Sequence, residues 1–183
     1  MIDDANLQDS TLRLLVYQAL KQYSTEALLP MLSDSDVIVK SAVARELQRR
    51  GGDDVFNTAL ALAQNVRHES REIAAFVLGQ LGTPELPYRD RSIPVLKRLL
   101  SDNYYEVRST AVSALGHLAA SEVIDDVIAL ATDMESEVRE SVAFALGFLG
   151  PTSRSLEVLN KLKEDQSRDV REWAEFALEQ RGQ

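Results

Sequence analysis

Val138-Arg139-Glu140-Ser141-Val142-Ala143-Phe144-Ala145-Leu146-Gly147 repeats the pattern of Val107-Arg108-Ser109-Thr110-Ala111-Val112-Ser113-Ala114-Leu115-Gly116, with Val-Arg at its start and Ala-Leu-Gly at its end. Weaker copies begin at Val39-Lys40, Ser70-Arg71 and Val170-Arg171, so the first residues of the five copies are spaced 31, 37, 31 and 32 apart. A fixed period of this size belongs to stacked helical units, each of which buries its apolar face only against its neighbours.

With Val39, Ser70, Val107, Val138 and Val170 as position zero, apolar or small residues fall at +4, +5, +7, +8 and often +11. At about 100° per residue these positions share one arc, so each phrase is predicted to be a helix with a buried face. Val39, Val107, Val138 and Val170 are expected in the core. Small residues at +5 and +7 should let a neighbouring helix come close. Gly51, Gly82, Gly150 and Gly182 stand at +12, where a helix end requires left-handed backbone.

A looser amphipathic helix is expected before each phrase, over Thr25–Leu32, Asp53–Gln64, Ser92–Leu100, Ser121–Ala131 and Ser155–Glu164. Pro94 would fall in a first turn, where its missing N–H costs little. Pro30 should kink or shorten its helix. The spacing of 37 marks an insertion, Gly82–Asp90, whose two prolines predict a loop. One more helix, Leu12–Tyr23, should cap the N-terminus, and the polar Glu179 and Arg181 suit a final helix where stacking stops. The chain reads as a single domain, 1–183.

Five positions before each zero residue stands Asp34, Asn65, Asp102, Asp133 or Asp165; one position after it stands Lys40, Arg71, Arg108, Arg139 or Arg171. The acid or amide can cap the helix or fix the preceding turn. Together the two positions suggest ion pairs linking each unit to the next. A basic stripe for phosphate is the alternative, but an Asp or Asn accompanies every basic residue and would cancel its charge.

This pattern resembles the HEAT-repeat family, in particular its short bacterial subclass named after phycobilisome lyases. The resemblance covers nearly the whole chain. It implies an all-α solenoid of about five HEAT-like helical pairs plus an N-terminal capping helix, wound as a right-handed superhelix with the second helix of each pair on the concave side. A repeat of this kind does not by itself specify a reaction or a partner.

Composition narrows the function. A net charge of −9 disfavours nucleic acid as a partner and leaves a basic protein possible. It also argues against the basic groove of the HEAT-like DNA glycosylases. There is no cysteine, which removes disulfides, thiolate metal sites and thiol nucleophiles. No apolar run is long enough to cross a bilayer, so no membrane is expected and cytoplasmic residence follows. His68-Glu69 resembles the pairs with which HEAT-repeat hydroxylases of deoxyhypusine bind iron, but such a site needs several converging pairs. No enzyme, cofactor or metal is expected. Nothing in the sequence marks a tetrapyrrole pocket.

Positions +3, +6 and +10 lie away from the buried arc and are expected to be solvated. They carry Phe76, Phe144 and Phe176 at +6, Ile73 and Trp173 at +3, and Phe148 at +10. Exposed aromatics in one register mark a partner surface, here rimmed by Glu72, Glu140 and Glu172 at +2 and made basic at its N-terminal end by Arg45 and Arg49. Short segments, Leu47–Asp53, Ala74–Gln80 and Val170–Ala174, resemble HEAT-repeat immunity proteins encoded beside Rhs-type polymorphic toxins. That resemblance implies a noncatalytic protein that occludes a toxin domain with its concave face. A general adaptor or scaffold is the alternative, with a lyase-type enzyme behind it.

Overall fold

The computed structural model describes residues 14–180. Every regular element among them is helical. Residues 14–20 form α1, and α2 (Thr25–Leu28) runs into a 3-10 turn over Leu29–Ser33. There follow α3 (Val37–Arg50), α4 (Asp53–Leu62), α5 (His68–Leu78), α6 (Arg89–Leu99), α7 (Tyr105–His117), α8 (Ile124–Ile128), α9 (Ser136–Phe148), α10 (Ser153–Leu162) and α11 (Arg168–Glu179). The repeated phrases are α3, α5, α7, α9 and α11, and these second helices pack against one another in sequence order. The part of the predicted cap before Leu14, together with Arg181 and Gly182, lies outside the described residues.

The first helices depart from expectation where their sequence resists regular helix. Pro30 lacks the N–H that an α-helix would use, so α2 stops at Leu28 and the chain tightens into 3-10 geometry. The predicted Ser121–Ala131 helix is a 3-10 turn, one short α-helix and a second 3-10 turn. Helix α6 begins at Arg89, three residues earlier than predicted, so Pro94 lies inside the helix and the loop ends at Tyr88. Arg89 explains the early start. Its guanidinium donates to the carbonyls of Leu118 (2.9 Å) and Ala119 (3.1 Å) and pairs with Glu122. It thereby satisfies carbonyls at the end of α7, where Ala119 (φ 46°) takes the left-handed backbone that glycine supplies in other copies.

Val107, Val138 and Val170 are buried as expected. Val39 is not: it is 37% exposed, beside the exposed Val37 and Ile38. It occupies the first copy, where no earlier phrase helix stacks against it among the described residues.

Two devices hold the second helices together. The first is close approach. A Cβ added to Gly79 would stand 2.7 Å from Ala114 Cβ and 2.8 Å from its Cα, and one on Gly116 would stand 2.9 Å from Ala145 Cα. Position +9 of one copy therefore touches +7 of the next. In the first copy these places hold Gln48 and Val77, and the backbones are joined by polar bonds instead: Gln48 Nε2 donates to the Phe76 carbonyl, and Gly82 N–H donates to the Gln48 carbonyl (2.8 Å). Glu46, at +7, is fully buried and accepts from both Arg49 and Arg50. Burial opposes its charge, but the two guanidiniums prevail and hold its carboxyl below the ordinary range.

The second device is the ladder. Arg71, Arg108 and Arg139 each grip the aspartate of the following unit through two nitrogens, at 2.6 and 2.8 Å to Asp102, 2.8 and 2.8 Å to Asp133, and 2.7 and 2.8 Å to Asp165. The remaining nitrogen of each arginine bonds carbonyls of its own turn. The aspartates accept the N–H two residues on rather than capping the helix, so they fix the turn. Where Lys40 and Asn65 occupy these positions, no such pair forms among the described residues.

Three outcomes follow from this packing. Leu146→Ala should lower the unfolding free energy by about 2–5 kcal/mol in a denaturant titration. Gly79→Ala and Gly116→Ala should destabilise by about 1–3 kcal/mol through overpacking, despite alanine's better helix propensity. Gly147→Ala, whose added Cβ would find Ala177 at 3.4 Å, should be neutral or stabilising. The ladder predicts a pH dependence. Asp102 and Asp165 are held below the ordinary range chiefly by Arg71 and Arg139. At Asp133 burial is the largest influence and opposes ionisation, but the bonds from Arg108 and the Glu135 N–H outweigh it. A depressed folded-state pKa gives stability that is complete above the unfolded value, about 3.9, and disappears as pH falls through the folded one. Wild type should exceed Asp133→Asn by about 3 kcal/mol at neutral pH, and the gap should close on acidification through that window.

Candidate functional site, an aromatic ridge on the second helices

The expected patch exists, in part, and it is continuous over α7, α9 and α11. Phe144 lies at its centre. Its ring centroid is 5.1 Å from His117, 4.9 Å from Phe148 and 5.2 Å from Trp173, and Trp173 is 5.7 Å from Phe176. The contacts with His117 and Trp173 are edge-to-face, as is that of Trp173 with Phe176, the arrangement favoured by the ring quadrupole. The junction geometry creates this row: with Gly116 against Ala145, the Phe144 ring lies beside Gly116 and reaches His117.

Exposure grades outward from the centre. Phe144 and Trp173 are half-buried, whereas Phe148 is 51% and Phe176 44% exposed. Burial pushes the His117 imidazole below its ordinary pKa, so it presents a neutral ring at neutral pH. His117, at +10 of the third copy, joins the row through its contact with Phe144, which only the structure shows.

Position +3 is corrected. Ile73 is only 6% exposed and Ser141 is buried, so +3 is not a solvated position. The reason is lateral: the +3 residue inserts between +2 and +6 of the preceding helix. Ser141 hydrogen-bonds Ser109 (2.8 Å) and Ser113 (3.0 Å), and Trp173 packs on Phe144 and Glu140 in the same way. Ile73 therefore stabilises the stack and is not available as a contact residue. Phe76 is separate from the ridge, half-buried under the exposed Arg45 guanidinium, 5.6 Å from its ring centroid. Arg49 is exposed, but Glu46 engages its guanidinium, and it also lies 5.5 Å from the Tyr17 ring centroid.

The two acidic rim residues differ. Glu172 is exposed and paired with Arg168 at 2.6 Å. Glu140 is half-buried and accepts the indole N–H of Trp173 at 3.1 Å. Burial first, and then the charge of Asp169, push its carboxyl above the ordinary range, against the pull of that hydrogen bond.

His68 stacks flat on Tyr104 (4.0 Å, 3°), with Glu69 3.7 Å from its Nδ1, and the described residues contain no group of three or more His, Cys, Asp or Glu able to hold a metal. No helix among them is long and apolar enough to cross a membrane.

The ring network predicts which truncations the fold tolerates. Phe148→Ala and Phe176→Ala should leave the unfolding free energy within about 0.5 kcal/mol of wild type, as for exposed positions. Phe144→Ala, which empties the centre of the cluster, should cost about 2 kcal/mol, part of the loss for a fully buried ring.

Comparison with known proteins agrees with this architecture. Residues 93–179 match the family model for HEAT repeats, and residues 70–102 that for the PBS lyase HEAT-like repeat. Protein YibA of Escherichia coli K12 is 28% identical over 170 residues, which cover 89% of this chain and 60% of YibA. Its crystal structure superposes with a TM-score of 0.82, covering 91% of this chain and 62% of that one. The chain thus spans about 60% of the length of that curated relative. Deoxyhypusine hydroxylase of Neurospora crassa is 41% identical over 93 residues, 48% of this chain and 27% of the enzyme. The complex of CpcE and CpcF of phycocyanin lyase from Nostoc shares the fold (TM-score 0.67, 20% identity, 86% of this chain and 65% of that one). Residues 70–179 are thus similar to HEAT-type repeats in sequence, and the described chain shares the all-helical solenoid fold of YibA.

Proposed function

We propose that this chain is a noncatalytic protein-binding module whose contact surface is the ridge of His117, Phe144, Phe148, Trp173 and Phe176. One observation carries the reading: two phenylalanines are about half exposed at the edge of a continuous five-ring cluster. A core has no use for such exposure, and aromatic anchors of this kind concentrate binding energy at interfaces. In its finer form the protein is an immunity protein that neutralises a cognate bacterial toxin, by laying the open face of the second helices over the toxin's active site. The net charge of −9 suits a basic target.

The test is affinity purification of the full chain from its native host, followed by binding measurements on the captured protein. Phe148→Ala and Phe176→Ala should each weaken that complex by about 2 kcal/mol, roughly thirtyfold, with unchanged melting. Unaltered affinity in both variants would remove the ridge from the interface. A captured partner that is toxic when expressed alone, and silenced by co-expression, would support the immunity reading; a harmless partner would leave an adaptor.

The similarity to deoxyhypusine hydroxylase favours one other reading, a repeat unit that contributes to a metal-dependent enzyme. Stoichiometric iron in the purified protein would support it over the binding module.

A further inference from the structure

We propose that the acidic end of the ridge, formed by Glu140 with Glu137 and Asp169 beside Trp173, receives an arginine or lysine side chain of the partner, while Phe148 and Phe176 take apolar side chains of the same segment. This rests on the ridge being the contact surface.

Glu140 shares with Glu72, the +2 residue of the second copy, a partly buried carboxyl pushed upward by burial, and it differs from the carboxylates of the ladder and from Glu46. Asp102, Asp133, Asp165 and Glu46 each receive a guanidinium from the protein itself. Glu140 receives only the Trp173 N–H, and no ion pair to it is present among the described residues. The charges that act on it, Asp169 and Glu137, have its own sign. A carboxylate has about four lone-pair sites, so one indole bond leaves most of its accepting capacity open. A half-buried anion in a like-charged surround is unfavourable alone and favourable once a cation arrives.

The neighbouring ring adds to the selection. Cations are drawn to aromatic faces, to tryptophan most strongly. The same chain uses the arrangement internally, with Arg91 4.1 Å from the Phe56 ring centroid and Arg45 5.6 Å from that of Phe76. The negative chain repels phosphate backbones and anionic lipid surfaces, which leaves a protein segment as the source of the cation.

The spacing also defines the segment. Glu140, Phe144 and Phe148 follow one another at intervals of four along α9, and Asp169, Trp173 and Phe176 do nearly so along α11. Acid thus stands at one end of the strip and rings at the other. Glu140 and Phe148 are about 12 Å apart at 1.5 Å per residue. An extended segment advances about 3.3 Å per residue, so its cation and its apolar anchor would lie four residues apart on one side.

Trp173 is the only tryptophan and reports on the site directly. The experiment titrates the full chain with capped hexapeptides carrying Arg and Leu four residues apart, in both orders, with Ser and Thr between. Matched peptides carry citrulline, which keeps the shape and loses the charge. At least one arginine peptide should change Trp173 emission saturably and bind at least tenfold more tightly than its citrulline counterpart. Glu140→Gln, which keeps an oxygen for the indole N–H, should abolish that tenfold preference. Phe148→Ala should weaken the arginine and citrulline peptides equally. Equal affinity for arginine and citrulline, full preference in Glu140→Gln, or no saturable response to any peptide would overturn the proposal. The captured protein partner separates the two readings: loss of its affinity in Phe148→Ala, with none in Glu140→Gln, would retain the ridge as interface and reject the cation site.

Discussion

The structure depends on how closely successive second helices approach. Glycine at +9 facing alanine at +7 lets Gly79 meet Ala114, and Gly116 meet Ala145, with no room for another methyl. Dispersion between backbones falls steeply with separation, so this contact sets the spacing of the two central junctions, α5 to α7 and α7 to α9. The spacing in turn decides what the open face can do. On that face the +3 side chain of one helix lies between +2 and +6 of the helix before it, as Ser141 does with Ser109 and Ser113 and Trp173 does with Glu140 and Phe144.

The charges divide along the same lines. Arg71, Arg108 and Arg139 are consumed at the junctions, where each holds an aspartate of the next unit and bonds its own turn. These pairs are mostly shielded from solvent, and their value lies in registering one unit on the next as much as in net stability. With those cations spent inside, Glu140 keeps no ion pair among the described residues, while Arg139 and Arg168 act on Glu137 and Asp169. An apolar row with an acidic end is what remains for a partner.

The solenoid was legible because its signals are local and repeated. Periodicity, the +12 glycines and the Asp/Arg pairing each recur, and a feature seen several times in register needs no tertiary information. The first helices were harder, since Pro30 and Pro94 have different consequences according to where the helix starts. The start of α6 is set by Arg89 reaching the end of α7, a contact about 30 residues away that no window reveals. The ridge was half legible for a related reason. A helical wheel separates core from solvent for one helix, but Ile73 is buried by its lateral neighbour, and His117 joins the ridge only through Phe144. Val39 failed at the end of the stack, where the repeat's rules lack a preceding unit.

A partner that docks on the ridge must cover an edge that is open in the free protein. Hydroxyl-radical footprinting of the chain, alone and with its captured partner, measures that at single side chains. Phe148 and Phe176 should oxidise readily in the free protein and become protected on binding, while Phe56, buried on α4 against Tyr88, stays unreactive throughout. Rings that remain reactive in the complex, with protection on the first helices instead, would contradict it.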